Sequence, residues 1–110
     1  MSLSEKTCVP CRGGVPPLTA AGIAPLAAQL DGWTVTNDHH LEKDFTFPDF
    51  GAALAFVNTV GAVADTQGHH PDLTLSWGKA GVKIWTHEID GLSESDFILA
   101  AKIDNATRDS

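Results

Sequence analysis

The chain has 110 residues, which fits one domain with a core of its own. Apolar residues make up 43% and charged residues 19%, a globular balance that excludes a disordered chain. The net charge of −7 disfavours direct binding to nucleic acid or to an anionic membrane, which both select basic surfaces, and leaves protein partners open.

No apolar run approaches the ~18 residues of a membrane span, and no signal-peptide pattern is visible, so cytoplasm is the expected location. Residues 1–17 read as an irregular arm, and residues 18–110 as a single domain. Pro10, Gly13, Gly14, Pro16 and Pro17 exclude a stable helix or a central strand in the arm. Cys8 and Cys11 are the only cysteines and form a C-x-x-C. A zinc site needs about four ligands and no second pair follows. A redox pair usually opens a helix, and here glycines and prolines follow instead. The pair therefore reads as reduced and structurally minor, ahead of a metal half-site or redox use.

Residues 19–30 read as a helix. Thr19 caps it, and Ile23, Leu26, Ala27 and Leu30 make one apolar stripe. Pro25 removes a hydrogen bond to Ala21 and predicts a kink or a shortened helix. Trp33 to Thr36 alternates as a strand, with Trp33 in the core, and Asn37-Asp38 turns the chain. Leu41, Phe45 and Phe47 then alternate with polar residues in a second strand, so the two form a hairpin. His39 and His40 read as exposed turn histidines. Pro48 and Asp49 suit the first turn of a long helix running to about Asp65, with Phe50, Ala53, Leu54, Val57, Val60 and Ala64 on its apolar face.

Leu73, Leu75 and Trp77 mark a third strand, and Gly78 to Gly81 a turn. Val82, Ile84 and Thr86 mark a fourth strand, on which Trp85 and His87 face away from the core. Ser93-Glu94-Ser95-Asp96 matches a capping box ahead of the apolar face Phe97, Leu99, Ala100 and Ile103, and the chain frays from Asn105. The order α-β-β-α-β-β-α predicts an α+β fold: two layers, with a four-stranded antiparallel sheet and three helices on one face.

His69, His70 and His87 are the clustered titratable nitrogens. If the third and fourth strands pair about a turn near residues 79–80, His87 lies opposite residues 71–73, within reach of His70. Three readings stand open: a metal site with Asp65 or Glu88, structural histidines bonded to turn carbonyls, and acid–base catalysis on a small ligand.

Asp65-x-x-x-His69-His70-Pro71, followed by Trp77, His87 and Asp96, resembles the signature of the pterin-4a-carbinolamine dehydratases. Thr86-His87-x-x-x-Gly91-Leu92-Ser93-x-x-Asp96 matches its second half. Cys8-x-x-Cys11-x-Gly13-Gly14-x-Pro16-Pro17-Leu18 is similar to the arm of bacterial members. Gly32-Trp33, Phe45-x-Phe47 and Phe50-Gly51-x-Ala53-x-x-Phe56 also fit. Pro25 is unusual but remote from the site, and three positions nearer to it depart from the pattern. Asp65 stands where many members carry glutamate, Trp77 where tyrosine is frequent, and Trp85 is bulkier than expected beside His87.

The resemblance implies a hydro-lyase that converts 4a-hydroxytetrahydropterin to quinonoid dihydropterin and water. It would recycle the pterin of an aromatic amino-acid hydroxylase. It implies His69, His70 and His87 as catalytic residues and Asp65, Pro71, Trp77 and Asp96 as substrate-binding ones. Within that set, Asp65 orients a histidine, and Asp96 is first a helix cap. It implies no metal and no cofactor, the pterin being the substrate, and a homodimer or homotetramer. A non-catalytic pterin-binding or coactivator-like interaction module is the alternative.

Overall fold

The computed structural model of the chain describes residues 3–8 and 16–107. Its elements are α1 (Ala20–Ala27), β1 (Thr34–Thr36), β2 (His40–Thr46), α2 (Phe50–Gln67), β3 (Asp72–Ser76), β4 (Lys79–Ile84) and α3 (Glu94–Thr107). Short 3₁₀ turns lie at Leu3–Glu5 and His87–Ile89. The predicted α-β-β-α-β-β-α order is present, and the strands form one antiparallel sheet in the order β1-β2-β4-β3.

Two hairpins thus lie side by side, joined where β2 meets β4 with Leu41 opposite Ile84. Leu41, Ala80, Val82 and Ile84 point to the helix layer and form one core with Phe56 and Val60 of α2 and Phe97, Leu99 and Ile103 of α3. The alternate positions Glu42, Asp44, Asp72 and Thr74 are exposed, so the other sheet face is polar and uncovered. Leu3 and Cys8 also enter the core, so the first part of the arm packs onto the domain.

Several boundaries differ from the sequence reading, each for a local reason. Thr19 caps α1 through the Gly22 N–H, but the helix ends at Ala27. Beyond Pro25 the chain tightens into three-residue bonds, from Gln29 to Leu26 and from Leu30 to Ala27. Asp49 is the cap of α2 rather than part of its first turn. Its carboxylate accepts from the Ala52 N–H at 2.8 Å. Phe50 and Leu54, placed on the apolar face by their spacing, are exposed, and the buried stripe is Ala53, Phe56, Val60 and Ala64.

The β3–β4 turn is Trp77-Gly78, not Gly78 to Gly81, because Ser76 already pairs with Lys79. Ala80 needs the core face it shares with Val82 and Ile84. The fourth strand ends at Ile84, and His87 opens the 3₁₀ turn instead of closing the strand. α3 continues through Asn105 to Thr107, where the Thr107 hydroxyl donates to the Ile103 carbonyl. Its first half is buried on every side from Ser95 to Ala100, since it runs between the other helices and the arm.

Candidate active site

The site begins where α2 stops. Gly68 takes a left-handed conformation, φ 63°, and the His69 N–H reaches back to the Ala64 carbonyl at 3.3 Å. That is a Schellman ending, which needs a residue without a Cβ penalty at this position. It delivers His69, His70 and Pro71 onto the edge of the sheet. Pro71 restricts His70 to extended backbone, the conformation that leads into β3.

Each of the two histidines meets a carboxylate. His69 Nε2 lies 2.5 Å from Asp96 Oδ1, and Asp96 is fully buried. The other Asp96 oxygen accepts from the Thr86 hydroxyl and from the Ser93 N–H, both at 2.8 Å. Only half of the predicted capping box therefore forms. The Ser93 hydroxyl turns to Thr86 at 2.9 Å, while the Asp96 N–H bonds the Ser93 carbonyl. One carboxylate joins the start of α3, the end of the sheet and the exit of α2.

His70 Nε2 lies 2.9 Å from Asp65 Oδ1, with both side chains largely exposed. Asp65 sits in the last turn of α2, which carries no basic residue. A negative charge there opposes the helix dipole, and the partner this carboxylate does meet is His70. A carboxylate only accepts, so both rings carry their proton on Nε2 when neutral and present a bare Nδ1.

The observed register differs from the sequence reading, in which His87 lay opposite residues 71–73. Continued beyond Asp72, it brings residue 87 level with residue 68, one step from His69. The three histidines do meet. Gly68, His69, His70, Trp85, His87 and Glu88 line a cleft of about 180 Å³. The Trp85 and His87 rings lie 4.2 Å apart between centroids. Among the described residues, His87 alone of the five histidines meets no carboxylate.

Other predicted positions lie outside this cleft. Pro71 is half-buried and adjoins it through His70 without lining it. Trp77 is at the far tip of the β3–β4 hairpin, 68% exposed and roughly 20–25 Å of extended chain from His70. Asp96 reaches the cleft only through His69. Residues the sequence did not single out are Gly68 and, behind Trp85, the pair His39 and His40. These two are not exposed turn residues: His39 is half-buried and His40 is buried. Glu88 lines the cleft, though the sequence suggested it only as a metal ligand.

Larger concavities lie elsewhere among the described residues. One of about 380 Å³ lies beside Lys43 and Asp104, which bond each other at 3.0 Å, and one of about 540 Å³ lies on the open sheet face. Neither is lined by a histidine.

Among the described residues no group of three His, Cys, Asp or Glu side chains is placed to hold a metal ion. Cys8 is buried, its thiol donating to the Ser95 carbonyl and its N–H to the Gln67 side chain. Burial pushes its thiol up, with Lys102 opposing and Asp96 adding to the effect. Cys11 and the pairing of the two cysteines lie outside the described residues.

Fold and site together define a class: a small α+β domain with a histidine-lined cleft at the end of its sheet, two of the histidines backed by carboxylates. Residues 16–106 match the family model described as pterin 4 alpha carbinolamine dehydratase, and the chain belongs to that family. A relative from Rubrobacter xylanophilus is 55% identical over 102 residues, covering 93% of this chain and 95% of its own. One from Alkaliphilus metalliredigens is 52% identical over 104 residues, covering 94% of each. Both are provisionally named pterin-4-alpha-carbinolamine dehydratases.

Among solved structures, a transcriptional coactivator/pterin dehydratase from Brucella melitensis superposes with a TM-score of 0.76 at 26% identity, over 82% of this chain and 97% of that one. A pterin dehydratase-like RuBisCO assembly factor of the alpha-carboxysome shares the fold, with a TM-score of 0.61 at 20% identity over 73% of this chain and 94% of that one.

Proposed function

We propose that the chain dehydrates 4a-hydroxytetrahydropterin to quinonoid dihydropterin and water, by histidine acid–base catalysis. The observation that carries this reading is the meeting of His69, His70 and His87, from two separate segments, at one cleft. The reaction moves protons and changes no oxidation state, so imidazoles suffice in this reading and neither metal nor further cofactor takes part. The C4a hydroxyl leaves as water with a proton from His87. The neighbouring ring nitrogen loses its proton to Nδ1 of His69, and the carbon–nitrogen double bond forms between them. Asp96 stabilises the imidazolium that results, as a buried carboxylate does behind a general base. His70, steered by Asp65, holds and polarises the pterin. The proton gained by His69 returns to His87 through solvent.

In this reading the protein is a cytoplasmic homodimer or homotetramer that returns the pterin cofactor of an aromatic amino-acid hydroxylase. The unpaired edges of β1 and β3 favour assembly. Among the described residues no helix is long and apolar enough to cross a membrane. A second reading, a coactivator-like interaction module, is favoured only by the double description of the Brucella neighbour.

Stopped-flow dehydration of freshly made 4a-hydroxytetrahydropterin, with His87→Ala beside wild type, tests the proposal. Turnover at least ~100-fold above His87→Ala, and unchanged within about twofold by a chelator, is expected. No acceleration over buffer would sink it, and chelator-killed turnover would return the metal reading.

A further inference from the structure

His39 and His40 sit on the hairpin between β1 and β2, yet they abut the His87 turn. Asn37 and Asp38 both take left-handed backbone, φ 54° and 52°, as primed hairpin turns require. This tight turn carries His39 across the end of β4. There His39 Nε2 meets Asp90 Oδ1 at 2.8 Å and its Nδ1 meets His40 Nδ1 at 2.9 Å. His40 Nε2 meets Glu42 at 3.2 Å. Asp90 ends the same 3₁₀ turn that begins with His87, and its own N–H bonds the His87 carbonyl. The His39 ring also lies 5.5 Å from Trp85, and Trp85 lies 4.2 Å from His87.

We propose that His39, supported by His40 and Glu42, is a positioning residue for His87. It acts by two routes. Its bond to Asp90 fixes the far end of the turn, and its ring backs the Trp85 face against which His87 rests. The Asp90 side chain is 89% exposed, so this link contributes little to stability. Its value is geometric: a turn of three residues, free on its cleft side, is tied at one end to a different hairpin. The reaction assigned to His87 rests on the function proposed above. The placement of His87 does not.

The test therefore pairs kinetics with spectra. His39→Phe keeps a flat ring against Trp85 and removes both hydrogen bonds. Asp90→Gly keeps the left-handed backbone, φ 50°, and removes the acceptor. Asp90→Asn keeps both that backbone habit and an acceptor oxygen. His39→Phe and Asp90→Gly are expected to lower kcat about tenfold with KM little changed, the mark of a displaced reacting group. Asp90→Asn is expected to stay within about threefold of wild type, and His39→Phe to add nothing in a His87→Ala background.

In ¹H–¹⁵N spectra the His87 imidazole and Trp85 indole signals should move in His39→Phe and Asp90→Gly. The Trp33 indole, held by Asp104, should not. Unmoved His87 and Trp85 signals in the folded variants overturn the inference whatever the activity. A tenfold loss that persists in the His87→Ala background overturns it as well. If wild type proves inactive as a dehydratase, the function proposed above fails and the spectra alone decide the positioning role.

Discussion

Asp96→Asn separates what Asp96 does for the fold from what it does for the site. The carboxylate accepts three close hydrogen bonds, from His69, Thr86 and the Ser93 N–H. The Ser93 N–H and the Thr86 hydroxyl still need an acceptor, so the asparagine carbonyl takes the Oδ2 position. Its amide nitrogen then faces His69 Nε2. An amide N–H donates, so His69 must accept there and move its proton to Nδ1. The nitrogen proposed as the base becomes a donor.

The stability cost follows from the same bonds. Bonds to a charged acceptor are worth ~1.5–3 kcal/mol and neutral ones ~1. Three such downgrades, partly offset by no longer burying a charge, leave a loss of about 1–3 kcal/mol. The catalytic cost is larger, about 100-fold or more in kcat, because the general base has the wrong tautomer. Urea unfolding measures the first and stopped-flow dehydration the second, with ¹⁵N shifts of His69 reporting the tautomer. Asp96→Ala, which strands all three donors, should lose about 3–5 kcal/mol and serves as the structural control. Asp96→Asn that folds and keeps kcat within about threefold of wild type would refute the assignment of His69 as base.

Asp65→Asn should change stability by less than about 0.5 kcal/mol, since the His70–Asp65 pair is exposed. Its effect should fall on KM through His70, and unchanged steady-state kinetics would detach Asp65 from the site. Gly68→Ala meets no atom within 4 Å of its new Cβ, so its cost is backbone strain alone, about 1–2 kcal/mol by urea unfolding. Activity should fall with it, because His69 follows directly. In a Cys11→Ser background the Cys8 thiol should resist an aromatic disulfide reagent at neutral pH until urea opens the fold, since burial keeps it protonated. Because the folded thiol holds its proton where the unfolded one ionises, stability should decline as pH rises past about 8.5, and Cys8→Ser should remove that slope. Rapid labelling of the folded protein would contradict the burial.

What the sequence made legible was what depends on near neighbours. The hairpins, the cap at Thr19, the reach of Asp96 back to the Ser93 N–H and the buried stripe of α2 through Val60 and Ala64 rest on residues two to four apart. That Asp65 orients a histidine came only from the family resemblance, and the helix ending at Gly68 sets that histidine as His70, five residues on. The strand order was not legible, because the joining of β2 to β4 leaves no mark in either strand. His40 therefore read as a turn residue, although that pairing sets it beside Trp85 and buries it. The β3–β4 register was misplaced because four small or flexible residues from Gly78 to Gly81 all suit a turn. The alternation of Ala80, Val82 and Ile84 was the signal that strand four had already begun.

Asp96 shows why a single residue carried two readings. Its capping role is a three-residue pattern, visible in any chain. Its second oxygen is committed to His69, 27 positions away, and that depends on α2 ending at Gly68. A fully buried carboxylate is costly unless every lone pair is used. Here the helix start, the end of the sheet and a site histidine use them together. At Asp96, then, the fold cannot lose the site without leaving buried donors unpaired. At Asp65 nothing buried depends on the carboxylate, so the site can be altered there while the fold stays intact.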